Sequence, residues 1–400
     1  MDKDLQIARV KSAILLLALM VCCSAAPTAL AQDVVQTTPP PALYTVVPLD
    51  SSITPEMVRG SVAAATTIPM WNYSIASPLD NKVYSGSMVG RSAFFNGARA
   101  TNVSTFIVPL IIKMPDGGIF DPTVPDASCS PAGTPLNLTL NSPMLVPIDF
   151  KMGSVDVGTA QYVDAYQRAN FWSRVSVTGG RYHTVLSPVT TLAAVTVNVP
   201  SGDGATFSTA QFSGCNPLGV MTINWFDSFV TGTLLPALAA QGVGPTNFPL
   251  FLMKDTVMST GATPSLATCC ILGYHGAIGF PTQTYSPVDY DTTGIFTGTT
   301  NISVLSHEVG EWMDDPLGNN PTPSWGHVGQ LLHSCQGNLE NGDPLSGKLF
   351  PAVLAPNGQT YQPQELAFFS WFLRQSPSLG VNGWFSDNAT FTTDAGAVCL

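Results

Sequence analysis

The chain has 400 residues, 26 of them acidic and 15 basic, for a formal net charge of −11; only 10% are charged and 45% are hydrophobic. That sign of charge argues against nucleic acid or anionic lipid as a partner, and the hydrophobic content argues against disorder. The length suits one large domain or two.

Residues 1–31 read as an export signal. Lys3, Arg9 and Lys11 give a basic start, Ala13 to Cys23 an apolar core, and Ala29-Leu30-Ala31 a small-x-small cleavage site. The apolar core is too short to span a bilayer, and no later segment reaches that length without polar interruption. A secreted, extracytoplasmic protein without a membrane span is therefore expected. The signal holds three of the basic and two of the acidic residues, leaving 12 against 24 in the mature chain. Six cysteines remain after it: Cys129, Cys215, Cys269, Cys270, Cys335 and Cys399. An even count in an exported chain favours disulfide bonds. Cys129 is expected to pair with Cys215, and the adjacent Cys269 and Cys270 to reach Cys335 and Cys399 rather than each other.

Residues 32–56, with Thr37-Thr-Pro-Pro-Pro-Ala, read as an extended linker. Residues 57–245 are mainly β in pattern. The apolar run Thr105 to Met114 predicts a strand pair or bent strand, Pro115-Asp-Gly-Gly118 a turn, and Ile119-Phe120 its return. A helix is predicted from Val157 to Trp172, where Tyr162, Ala165, Tyr166, Ala169 and Trp172 recur at helical spacing, with Asp164 and Arg168 as an i,i+4 pair. Strands follow at Tyr182 to Leu186 and Ala193 to Val199, and a second helix from Asp227 to Ala240. Residues 246–400 form the other region. It holds strands at Phe248 to Met253 and Ile271 to Phe280, a helix from Pro363 to Leu373, and short strands after Val381. The fold class is α+β, with a β-rich N-terminal region.

The chemistry concentrates in Ser303-Val-Leu-Ser-His-Glu-Val-Gly-Glu-Trp-Met-Asp-Asp-Pro316, where five of 14 residues are His, Glu or Asp. It reads as a helix that stops at Pro316, because Asp315 before the proline is pushed out of helical geometry. At about 100° per residue, His307, Glu311 and Asp314 share one face. Carboxylates gathered on one stripe repel one another unless a cation sits among them, and those at the helix end also oppose its dipole.

His307-Glu308-x-x-Glu311 resembles the zincin metallopeptidase helix, HExxH, with Glu in place of the second His. The resemblance implies a zincin-like C-terminal catalytic region in which His307 and Glu311 hold zinc. Glu308 would act as general base on a water, and a protein or peptide would be the substrate. An acidic third ligand is expected: Asp315 folding back from the helix end, or Glu340 or Asp343 from the segment Glu340-Asn-Gly-Asp-Pro344. His275, in Gly273-Tyr-His-Gly276, is a candidate substrate-side donor with Tyr274 as oxyanion stabiliser, weighed against a packed strand histidine. His327 and His333 are expected at the surface or behind the ligands.

The excess of carboxylates would also suit calcium. The alternative function is thus a non-catalytic extracellular binding protein, with a structural Ca²⁺ site or an acidic helix that merely caps the core. An open cleft in front of Glu308 would favour the enzyme; a buried or salt-bridged Glu308 would favour the structural site. Gly342-Asp-Pro-Leu, Ala355-Pro-Asn-Gly-Gln-Thr-Tyr361 and a cysteine near the end are similar to the plant phosphate-induced secreted proteins. That family lacks the His-Glu pair, which implies a fold that persists without hydrolysis.

Overall fold

The computed structural model describes residues 38–395, apart from 96–98, 127, 131, 179 and 328–334. The architecture is α+β, built on one mixed sheet of 11 strands. In chain order these are β1 (Leu43–Val47), β2 (Ala100–Lys113), β3 (Ile119–Phe120), β4 (His183–Thr191), β5 (Val195–Asn198) and β6 (Gly204–Phe207). They continue with β7 (Leu218–Thr222), β8 (Phe248–Lys254), β9 (Thr256–Ser259), β10 (Cys269–Ile278) and β11 (Gln283–Tyr290). Along the sheet the order is β6-β7-β9-β10-β11-β8-β2-β3, with β1 added to β10, and β4 and β5 added to β2.

The long strand β2 lies beside β8 in parallel and so joins residues from either side of position 245 in one sheet. Both β10 and β11 are buried along nearly their whole length, which fits strands covered on two faces. One face meets the helix α3 (Ser303–Asp314), whose Trp312 stacks on Phe248 at 3.7 Å and donates through Nε1 to Thr284 at 3.0 Å. Against α3 packs α2 (Tyr162–Asn170). The other face buries Tyr274 and Tyr285 with Phe226 from the helical run 223–241. Every residue of α3 is buried. Its end follows the sequence, since Asp315 leaves helical geometry at φ −136°, ψ 66° before Pro316.

Several elements differ from their sequence readings. The supposed linker contains β1, and its last two residues begin the helix α1 (Pro55–Ala63), whose N-cap Thr54 accepts from the Met57 N–H at 3.3 Å. The helix expected from Val157 starts only at Tyr162, because residues 155–160 form a hairpin with Ile148–Met152. The helix expected from Pro363 shrinks to Phe369–Phe372. The preceding stretch is held extended by long-range bonds, such as Glu365 N–H to the Lys348 carbonyl and Leu366 N–H to Asp387. Asp164 accepts from His183 and the Thr184 N–H, while Arg168 donates to the carbonyls of Val157, Gly180 and Tyr182; both are satisfied without a mutual ion pair.

Cys129 and Cys215 form a disulfide, as expected. Cys269 and Cys270 are joined to each other instead of reaching separate partners, their Cα atoms being 3.0 Å apart. Cys399 and the export signal lie outside the described residues. Among those described, no helix is long and apolar enough to cross a membrane.

Candidate metal centre

The helical spacing of His307 and Glu311 puts one above the other on the same face of α3, with Nε2 of His307 3.0 Å from Oε1 of Glu311. The segment after Asn338 closes over them. Gly342 touches the imidazole so closely that a Cβ there would meet Nδ1 at 2.5 Å. This close approach lets the N–H groups of Gly342 and Asp343 donate to Oε1 of Glu311 at 3.2 and 3.1 Å. It also brings Oδ1 of Asp343 to 3.6 Å from Nε2 of His307.

The tautomer of His307 follows from its neighbours. Nδ1 lies 2.9 Å from Oε1 of Gln364, whose own Nε2 donates to the Gly342 carbonyl at 2.6 Å. Gln364 therefore presents an acceptor, the imidazole proton sits on Nδ1, and Nε2 is left facing Glu311 and Asp343. His275 shows the same logic on β10. Its Nε2 faces the Asp315 carbonyl at 2.9 Å and must carry the proton there, which leaves the lone pair on Nδ1. That nitrogen lies 3.5 Å from Oε2 of Glu308 and 3.8 Å from Oε2 of Glu311. Glu308 fits beneath β10 because residue 273 is glycine; a Cβ there would meet its Cγ at 2.7 Å.

Among the described residues, two groups thus have the geometry to hold a cation, His307–Glu311–Asp343 and His275–Glu308–Glu311, and they share Glu311. Five buried side-chain atoms around them make no hydrogen bond: Nδ1 of His275, both oxygens of Glu308, Oε2 of Glu340 and Oδ1 of Asp343. At about 1–3 kcal/mol for each unpartnered atom, the burden approaches the whole stability of a domain, about 5–15 kcal/mol. A cation bound among them would relieve it.

The protonation equilibria bear the same mark. Burial, then Glu311 and Asp343, push Glu308 well above the usual carboxylate range. Burial and the Glu311 charge likewise raise Glu340, and Asp343 to about 7. Burial drives His275 down to about 4. Burial alone would lower His307, but the Glu311 carboxylate outweighs it and raises the imidazole; Glu311 is in turn held low, His307 and His275 overcoming its own desolvation.

Not every sequence candidate joins the centre. Asp315 does not fold back as a ligand: its carboxylate accepts from the N–H groups of Asn319 and Asn320 and closes the helix end. Glu340 stands beside the centre, with Oε2 3.8 Å from Nε2 of His275, but in neither group. Asp343 is the acidic residue from that segment that faces His307. His275 is not an exposed substrate donor but part of the buried cluster. Tyr274 is not available as an oxyanion stabiliser, because neighbours in a strand point to opposite faces; its ring packs on Phe226 and Tyr285 across the sheet. Asp314, read onto the same stripe, turns into a separate network with Tyr166, Gln167, Asn170 and Asn341. His327 is half-buried, with Nδ1 3.2 Å from the Asp343 carbonyl; His333 lies outside the described residues.

Two contributors had no signal in the sequence reading. Gln364 lay inside a presumed helix, and Tyr44 inside a presumed linker. Tyr44 stacks on His307 with ring centroids 3.5 Å apart and planes 16° from parallel. Burial raises its phenol, and the Glu308 charge raises it further. Beside it is a cavity of about 260 Å³, with Tyr44, Thr45 and Val46 on one side and Glu311, Glu340 and Asp343 on the other. A larger cavity of about 440 Å³, between α1 and the hairpin Met70–Val89, has Arg59 as its charged side chain and none of these groups.

No protein-family model, curated protein or solved structure was found to match the chain.

Proposed function

We propose that the protein is a secreted metallopeptidase with zinc held by His307, Glu311 and Asp343. The observation that carries this reading is the pair of buried imidazoles, each with its far nitrogen held by an oxygen acceptor and its near nitrogen turned into carboxylates. Such an arrangement is unfavourable without a cation, and the His307 nitrogen beside the Glu311 and Asp343 oxygens suits zinc, whereas calcium takes oxygen alone. A zinc ion there would supply Lewis acidity toward a peptide carbonyl and lower the pKa of a bound water.

The protein groups divide the remaining work. Gln364 holds the His307 tautomer, and the N–H groups of Gly342 and Asp343 orient Glu311. Glu308 is one residue from the ligand and free of hydrogen bonds. Its role is to take a proton from the attacking water and return it to the leaving amine.

A second reading draws on one observation, the complete burial of Glu308. In it the protein is a non-catalytic extracellular binding protein whose cluster holds a structural ion. The test is metal analysis of the purified protein beside Glu308→Gln. The expected result is about one zinc per chain in both, with peptide hydrolysis lowered about 10²–10⁴-fold by the substitution. Calcium in place of zinc, or full hydrolysis by Glu308→Gln, would rule out the proposed mechanism.

A further inference from the structure

The segment 38–49 lies against the candidate centre. Its strand β1 adds in parallel to β10, pairing Tyr44 with Gly273 and Val46 with His275. Paired residues of neighbouring strands share a face, so Tyr44 and Val46 point to the side of the sheet that holds α3. Tyr44 covers His307 there, and Tyr44, Thr45 and Val46 close the cavity in front of Glu311 and Asp343.

The segment is held through β1, an edge strand paired along its length with β10. All five residues of β1 are only half-buried. Beyond β1, Leu49 donates to the Leu317 carbonyl at 2.9 Å, and Val46 fits against Gly318, where a Cβ would approach it to 2.4 Å. Pro48, Asp50, Ser51 and Ser52 are exposed. What meets His307 is an aromatic ring rather than a peptide carbonyl, so the segment offers no bond for cleavage at the centre.

We propose that residues 38–49 are an internal plug that occupies the place of the substrate, an extended polypeptide that adds as a strand to the edge of β10 with an aromatic side chain over His307. The inference rests on the metallopeptidase reading. Backbone pairing supplies affinity in strand addition, and alternate side chains supply selectivity. Activation requires one peptide bond in the exposed stretch 50–52 to be hydrolysed by an external endopeptidase, water providing the new carboxyl and amino ends. The cut turns a tethered contact into a bimolecular one, and dilution then removes the plug.

The test uses the mature chain with a specific protease site inserted between Asp50 and Ser51. Zinc loss to a chromophoric chelator and hydrolysis of an unfolded protein are followed before and after cutting. Both rates should rise on the order of 10²-fold, the lower range of the advantage that tethering confers. A synthetic peptide of residues 38–50 should reverse both, and the same peptide with Tyr44→Ala should not. Tyr44→Ala in the uncut chain should speed zinc loss by itself. A zinc-loaded chain with equal rates in both states, or one that keeps the cut segment through gel filtration, would overturn the plug alone. A chain that binds no zinc in either state would overturn the metallopeptidase reading, and the plug with it.

Discussion

Two clusters on the same helix, one turn apart, show what a buried carboxylate does and does not imply. Asp314 is fully buried, yet donors surround it: Tyr166 Oη at 2.9 Å, Asn341 Nδ2 at 3.0 Å, Asn170 Nδ2 at 3.3 Å and Gln167 Nε2. Glu308 and Glu311 are equally buried, but apart from the N–H groups of Gly342 and Asp343 on Glu311 they face two imidazole nitrogens and further carboxylates, and neither oxygen of Glu308 has a donor. Asp314 is complete without a ligand, and the other cluster is not. Burial of charge is therefore a weak sign of a site; the absence of compensating donors is the stronger one.

The sharpest way to break this comparison is to remove one carboxylate from each cluster. Glu311→Ala should abolish zinc binding and with it the zinc-dependent rise in stability, about 4 kcal/mol when free zinc exceeds Kd by 1,000-fold. Thermal unfolding with and without added zinc reads this directly. Equal shifts in wild type and variant would mean that the ion, if any, sits elsewhere. Asp314→Ala should cost about 3 kcal/mol, since Tyr166, Gln167 and Asn341 lose their acceptor in a dry interior, while zinc stoichiometry stays unchanged. Loss of zinc from that variant would erase the distinction between the clusters.

A buried carboxylate away from α3 tests whether burial acts alone. Burial first, then the Asp255 charge, lift Asp291 from 3.8 to about 6 against bonds from Thr293 and Gly294. A raised folded-state pKa means that the folded form holds the proton more tightly. Its contribution is full below the unfolded pKa, about 3.9, and is lost as pH rises through about 6, on the order of 3 kcal/mol. Denaturant unfolding of Asp291→Asn against wild type should show that slope removed between about pH 4 and 6. The smallest expected effect is that of Gln364→Leu, which leaves every proposed ligand in place. Freeing the His307 tautomer should weaken zinc binding about 10–100-fold without abolishing it. Unchanged affinity by competition with a chelator would show that the Gln364 contact is only packing.

What the sequence determined by itself is what depends on short-range geometry. A one-turn spacing puts His307 and Glu311 on one face of any helix, Pro316 ends that helix, and Pro115-Asp-Gly-Gly118 turns β2 back into β3. Alternation in a strand separates Tyr274 from His275, so the sequence already held the reason why the two could not serve one site. The tertiary structure decided everything that required distant segments to meet. Asp343 rather than Asp315 faces His307 because Gly342 lets its loop lie against the ring, while Asp315 finds the N–H groups of Asn319 and Asn320 first. Gln364 reaches His307 across 57 residues because its stretch pairs with other segments rather than coiling. Tyr44 covers the centre because an edge of β10 stood open to a strand from a region that reads as linker. No local pattern encodes such meetings, since the partners are chosen by which groups remain unsatisfied once the sheet and its helices have packed.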